Sequence, residues 1–165
     1  MGTNRRGRLL LVEDESVLRS LVSLFLRGEG FDVTEAADGR EGVERFSSLG
    51  PFDVVLLDLN LPVYPGVEVC RRIKLQEPRQ RVIICSAAIL DGPAAALEAM
   101  DVTQFLTKPY HPSELLRRIA AELAAARTTK TTAGESLASS STWRIDPARP
   151  PRARAHSLFK APAID

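Results

Sequence analysis

Cysteine is nearly missing from this chain, with only Cys70 and Cys85 among 165 residues. Both sit inside apolar patterns on separate predicted elements, with neither a C-x-x-C pair nor metal-ligand spacing, so a disulfide framework and a zinc site are excluded. Buried thiols in a reducing cytosol are the prediction. Histidine is as scarce: His111 reads as an exposed residue of a proline-flanked loop, and His156 falls in a low-complexity stretch. No glycine-rich phosphate loop follows any predicted strand, which weighs against a nucleotide site. Long apolar runs are absent too, none approaching the roughly 20 residues a membrane span needs. The run Leu9 to Val12, behind Arg5, Arg6 and Arg8, is too short for a signal sequence and ends in Glu13-Asp14-Glu15. A cytoplasmic protein without a membrane partner is predicted. The net charge is only +1, and its distribution is uneven: residues 1–127 carry 16 Lys/Arg against 18 Asp/Glu, whereas 128–165 carry 6 against 3. The basic excess belongs to the end of the chain.

What is present is a set of short apolar runs that stop on polar residues. Val54 to Leu57 is continuous and branched, as in a strand buried on both faces, and it stops at Asp58. Alone, Asp58 reads equally well as a reactive group at a strand end or as a turn cap ahead of Pro62 and Gly66. Leu9 to Val12 is a second such run, ending on Glu13-Asp14. Val82 to Cys85 is a third, ending on Ser86, and Gln104 to Thr107 makes a short strand ending at Lys108-Pro109. Phe31 to Ala36 alternates, as an edge strand would. Between the strands lie helical patterns: Leu18, Leu21, Val22 and Phe25 over residues 15 to 28; Val43, Phe46 and Leu49 behind the cap Asp38; Val69, Cys70 and Ile73; Leu97 and Met100; and Leu116, Ile119, Ala120 and Leu123.

Five strand-helix units imply an α/β fold, a doubly wound five-stranded parallel sheet with right-handed crossovers and flavodoxin-like order 2-1-3-4-5. In such a sheet the strand C-termini share one edge, so Glu13, Asp14, Asp58, Ser86 and Lys108 converge there although the sequence scatters them. Crowded carboxylates repel and demand a cation. All-oxygen ligands select a hard ion, and Mg2+ is predicted. A carboxylate nucleophile, Mg2+, a lysine and a hydroxyl are the parts for accepting a phosphoryl group in line. Taken singly, the blander readings stand: Glu13-Asp14 as helix-start acids, Ser86 as a turn hydroxyl, Lys108 as a surface charge, Phe105 as core.

Those motifs, Glu13-Asp14, Asp58-Leu59-Asn60-Leu61-Pro62, Ser86-Ala87 and Phe105-Leu106-Thr107-Lys108-Pro109, resemble in order and spacing the CheY-like receiver domain of two-component response regulators, over residues 8–126. The resemblance implies a phosphorelay in which a sensor histidine kinase or phosphotransfer protein phosphorylates Asp58. It implies that Asp14, Asp58 and the Asn60 backbone carbonyl ligate Mg2+, that Glu13 acts through water, and that Lys108 and Ser86 bind phosphoryl oxygens. It also implies a switch pairing Ser86 with Phe105 and a cis Lys108-Pro109 peptide. The implied output is a phosphorylation-dependent protein-binding surface on the fourth helix, fifth strand and fifth helix. That surface would engage a downstream protein target or a second copy in a homodimer. Pro65 and Asp101 depart from the family's usual Asp and Gly, and Asp tolerates the left-handed turn better than most residues.

From Thr128 the composition turns to Thr, Ser, Ala, Pro and Arg, so the chain reads as a receiver over 1–127 and a disordered or linker tail over 128–165. Thr142 to Pro147 looks like the opening strand of a winged-helix effector, but the 18 residues after Pro147 are too few for a helix-turn-helix unit. DNA is therefore not a predicted partner, and a transcription regulator with a truncated effector is the alternative. A Mg2+-dependent phosphohydrolase is a third reading, opposed by Asn60, which stands where such an enzyme needs a general acid; no enzyme is predicted.

Overall fold

The computed structural model describes residues 5–87 and 91–135. Its elements run β1 (Arg8–Val12), α1 (Ser16–Gly28), β2 (Asp32–Ala36), α2 (Gly39–Leu49), β3 (Val54–Leu57), α3 (Gly66–Gln76), β4 (Val82–Ser86), α4 (Asp91–Glu98), β5 (Gln104–Thr107) and α5 (Pro112–Glu135). The five strands form one parallel sheet in the order β2-β1-β3-β4-β5. β2, the alternating strand, is at one edge.

Continuous apolar strands follow from helices on both faces, because successive side chains leave a strand on opposite sides. Leu10, Val12, Val55, Leu57, Val82 and Ile84 enter one core with Phe46 of α2, Val69, Cys70 and Ile73 of α3, and Leu97 of α4. Leu9, Leu11, Val54, Leu56, Ile83 and Cys85 enter the other with Val22 and Leu26 of α1 and Leu115 and Ile119 of α5. Each fully buried Leu or Ile contributes roughly 2 kcal/mol from burial. Cys70 and Cys85 lie in opposite cores, both free, and burial pushes their thiols up to about 11 and about 12.

The helical stripes differ in detail from the sequence reading. Leu21 is 60% exposed, and with Val17 and Leu24 it forms an outer apolar face on α1, whose buried side is Val22, Ser23 and Leu26. A helix apolar on two sides offers two registers, and periodicity alone cannot choose between them. Leu49 is exposed for its part, and in α5 the buried stripe is Leu115 and Ile119, with Ala120 facing solvent. Helix α5 also runs to Glu135, eight residues beyond Arg127, because nothing from Thr128 to Ala133 is a helix breaker. Helix therefore occupies the first residues of the stretch read as tail. Ala88, Thr142 to Pro147, the arginines from Arg144 to Arg154 and His156 lie outside the described residues.

Among the described residues, two non-glycine residues have left-handed backbone, Asp101 at φ 61° and Val63 at φ 68°. Asp tolerates that region; a β-branched valine does not, and such strain costs on the order of 1–3 kcal/mol. Val63 is 52% exposed, so little packing opposes its replacement. Val63→Asn is expected to stabilise the domain by about 1 kcal/mol, raising the calorimetric melting temperature by about 3 °C. A lowered melting temperature would show that the valine side chain holds the loop.

Candidate functional site

The carboxyl edge of the sheet is built by chain ends that the core holds rigid. β1 delivers Glu13 and Asp14, and the Glu13 N–H is fixed by the Ala36 carbonyl of β2 at 3.1 Å. β3 delivers Asp58, whose N–H bonds the Val12 carbonyl at 3.1 Å. β4 ends on the fully buried Ser86, opposite Thr107 in register, and the Ser86 carbonyl accepts the Lys108 N–H at 2.9 Å. The Lys108–Pro109 peptide is cis, as is Gly50–Pro51.

Glu13, Asp14 and Asp58 each present an oxygen within 4.8 Å of the others. Glu13 and Asp58 are buried and Asp14 is exposed, so the cluster opens to solvent on one side. Lys108 Nζ lies 2.5 Å from both Glu13 Oε2 and Asp58 Oδ2. Asp58 Oδ1 accepts the Asn60 N–H at 2.9 Å, a turn cap, while Oδ2 faces Lys108. The cap fixes the carboxylate plane and turns the second oxygen toward Lys108. Phe105, half-buried and level with Ile84, packs on the core beneath α2, α3 and α4.

One ammonium does not neutralise three carboxylates. Burial pushes the Glu13 carboxyl above its ordinary value near 4.5, the Asp58 charge adds to this, and the Lys108 contact pulls back without cancelling it. Burial also works against the Lys108 ammonium, but its hydrogen bonds to Asp58 and Glu13 outweigh that and hold its pKa above the usual lysine value. A raised folded pKa means that the folded protein retains a proton the unfolded chain would release. Without added metal, stability at this residue is therefore greatest below about 4.5 and is lost as pH rises through the folded value. Melting curves in EDTA between pH 4 and 7 should show this decline, and Glu13→Gln should flatten it; an unchanged slope would assign the decline to other groups.

The oxygen donors fit a hard divalent cation, since they are close, unsaturated by protein cations, and open to water on the Asp14 side. A cavity of about 610 Å³ opens at the opposite edge of the sheet, lined by Lys74, Arg79, Arg81 and Glu122, but Arg81 and Glu122 are already paired there at 3.0 Å.

The sequence profile of the response regulator receiver domain matches residues 9–120. The chain belongs to that family. This receiver domain is 36% identical over 113 residues to the cell cycle response regulator CtrA of Brucella ovis, covering 68% of the chain and 48% of the relative. It thus spans about half the length of the curated relatives it matches. Among solved structures it is similar to the chemotaxis protein CheY4 of Vibrio cholerae (29% identity, TM-score 0.66, 70% of this chain and 98% of that one). It is also similar to a chain of the CheX-CheY-BeF3-Mg2+ complex of Borrelia burgdorferi (26% identity, TM-score 0.67, 72% and 90%). Among the described residues of the receiver domain no helix is long and apolar enough to cross a membrane.

The acids, Ser86 and Lys108 stand at the strand ends where their residue types predict them. Arg19 is not predicted there, yet its Nη1 donates to the carbonyls of Glu13 at 2.7 Å and Asp14 at 3.2 Å, with Glu35 behind it. The available signal was a line of polar residues, Arg19, Ser23 and Arg27, at successive i+4 steps along α1.

Proposed function

We propose that this receiver domain accepts a phosphoryl group on Asp58 from a sensor histidine kinase or phosphotransfer protein and signals through a protein-binding surface rather than by turning over a substrate. The observation that carries the reading is the meeting, at one sheet edge, of three carboxylates and one ammonium delivered by the ends of three different strands, β1, β3 and β5. Glu13, Asp14 and Asp58, with the Asn60 backbone carbonyl, would hold Mg2+. Bound there, the ion would supply positive charge to the oxygens of the transferring group. The Asp58 carboxylate, turned by its bond from Asn60, attacks phosphorus in line while the donor's imidazole leaves on the far side. Lys108 is anchored through the Ser86 carbonyl and meets an incoming phosphoryl oxygen as a point charge. The Ser86 hydroxyl is the second donor, and movement of Ser86 toward the phosphoryl group couples to Phe105, one strand away.

The output reading places the downstream target, or a second copy of the chain, on the α4-β5-α5 face. The similarity to a CheY chain that was solved bound to CheX with beryllofluoride and Mg2+ supports a protein partner for the activated state. Among the described residues nothing favours a truncated winged-helix effector. The test is incubation with radiolabelled acetyl phosphate. Label that appears with Mg2+ and not with EDTA supports the reading, and label that is indifferent to EDTA sinks it.

A further inference from the structure

Arg19, Ser23 and Arg27 lie in a line on α1 and face Glu35 of β2. The Ser23 hydroxyl donates to Glu35 Oε1 at 2.7 Å, Arg27 Nη2 pairs with the same oxygen at 2.9 Å, and Arg19 Nε stands 3.8 Å from Oε2. Arg19 also reaches the other way, to the carbonyls of Glu13 and Asp14. One guanidinium thus ties two consecutive acidic residues to the neighbouring strand. The strand side of the loop is held by the Glu13 N–H on the Ala36 carbonyl, and Arg19 holds the carbonyl side. With 17% of its side chain exposed, Arg19 is largely withdrawn from solvent. A planar fork can address Glu35 and two carbonyls at once, whereas a lysine ammonium cannot span them.

We propose that Arg19, oriented by Glu35, is a positioning residue for the divalent-cation site. It fixes the Glu13–Asp14 main chain so that both carboxylates converge on Asp58. The proposal rests on reading that cluster as a Mg2+ site. Its sign separates it from a plain charge effect. A positive group this close to a cation site opposes cation binding, so removing its charge alone would tighten Mg2+, whereas removing a positioning contact weakens it.

The test is calorimetric Mg2+ titration of the full chain. Arg19→Gln is expected to raise the Kd about 10-fold or more, the usual scale for outer-sphere partners of metal ligands, and Glu35→Gln to raise it by less. Arg19→Lys, which keeps the charge and loses the fork, should also weaken binding. Arg81→Ala breaks the Arg81–Glu122 pair at the far sheet edge, and it should lower the melting temperature without moving the Kd. At saturating Mg2+, phosphoryl uptake by Arg19→Gln should return to the wild-type rate. An Arg19→Gln Kd that is unchanged or tighter overturns the proposal; if that variant does not fold, an unchanged Kd in Arg19→Lys does so alone. Wild type that binds no Mg2+ overturns it together with the reading on which it rests, so the two failures are distinguishable.

Discussion

Asparagine in place of Asp58 should leave the domain folded and remove phosphoryl uptake, reducing label from acetyl phosphate by about 100-fold or more, to background, because an amide oxygen is not a nucleophile. The substitution is close to isosteric. The side-chain carbonyl can still accept the Asn60 N–H, so the turn after β3 keeps its cap. One of three crowded carboxylates loses its charge, and Lys108 keeps Glu13 as a partner. The melting temperature in EDTA should therefore be unchanged or higher. That dissociation, chemistry lost and fold retained, distinguishes a reactive Asp58 from one that only caps the turn. Comparable uptake by wild type and Asp58→Asn would transfer the role to another group.

Gly66→Ala should do the opposite, damaging fold and chemistry together. A Cβ at Gly66 would overlap the Asp58 carbonyl oxygen and approach the Leu59 Cα to 2.6 Å, and both are backbone atoms that no rotamer change can clear. The helix start is docked here, with the Gly66 N–H on the Leu59 carbonyl at 2.9 Å. Either α3 withdraws, opening the core around Val69, Cys70 and Ile73, or the chain carrying Asp58 moves. Steric insertion of this kind into packed backbone costs about 3 kcal/mol or more, a large part of an ordinary domain's stability of roughly 5–15 kcal/mol. Denaturant unfolding should show a lower midpoint, and the fraction still folded should take up phosphoryl label more slowly. A midpoint within error of wild type would mean that the loop yields freely and does not hold Asp58.

The fold was legible because strands buried on both faces advertise themselves. Val54 to Leu57 and Val82 to Cys85 have no polar residue that would let them face water, and parallel topology followed from the helices between them. The site was legible for the same reason: each apolar run ends abruptly on a residue whose type is costly to bury, and one sheet edge collects all such ends. Helix faces were less so. α1 carries Val17, Leu21 and Leu24 outside as well as Val22 and Leu26 inside, so hydrophobicity did not tell which side packs. Backbone-mediated contacts were invisible, since Arg19 acts on carbonyls, which every residue has, and no side-chain spacing encodes them. The dual use of Asp58, one oxygen on Asn60 and one on Lys108, needed geometry as well. Sequence offered cap and reactive group as rivals, and the cap occupies only one of the two carboxylate oxygens.

The central claim is that Asp58 itself carries the phosphoryl group. Borohydride reduction of the acylphosphate after acetyl phosphate treatment, followed by peptide mass spectrometry, reads the position directly. Homoserine at position 58, formed with Mg2+ and suppressed by EDTA, is the predicted result. Homoserine at position 14 or elsewhere, or a stable phosphate ester on a hydroxyl residue with Asp58 unmodified, would contradict it.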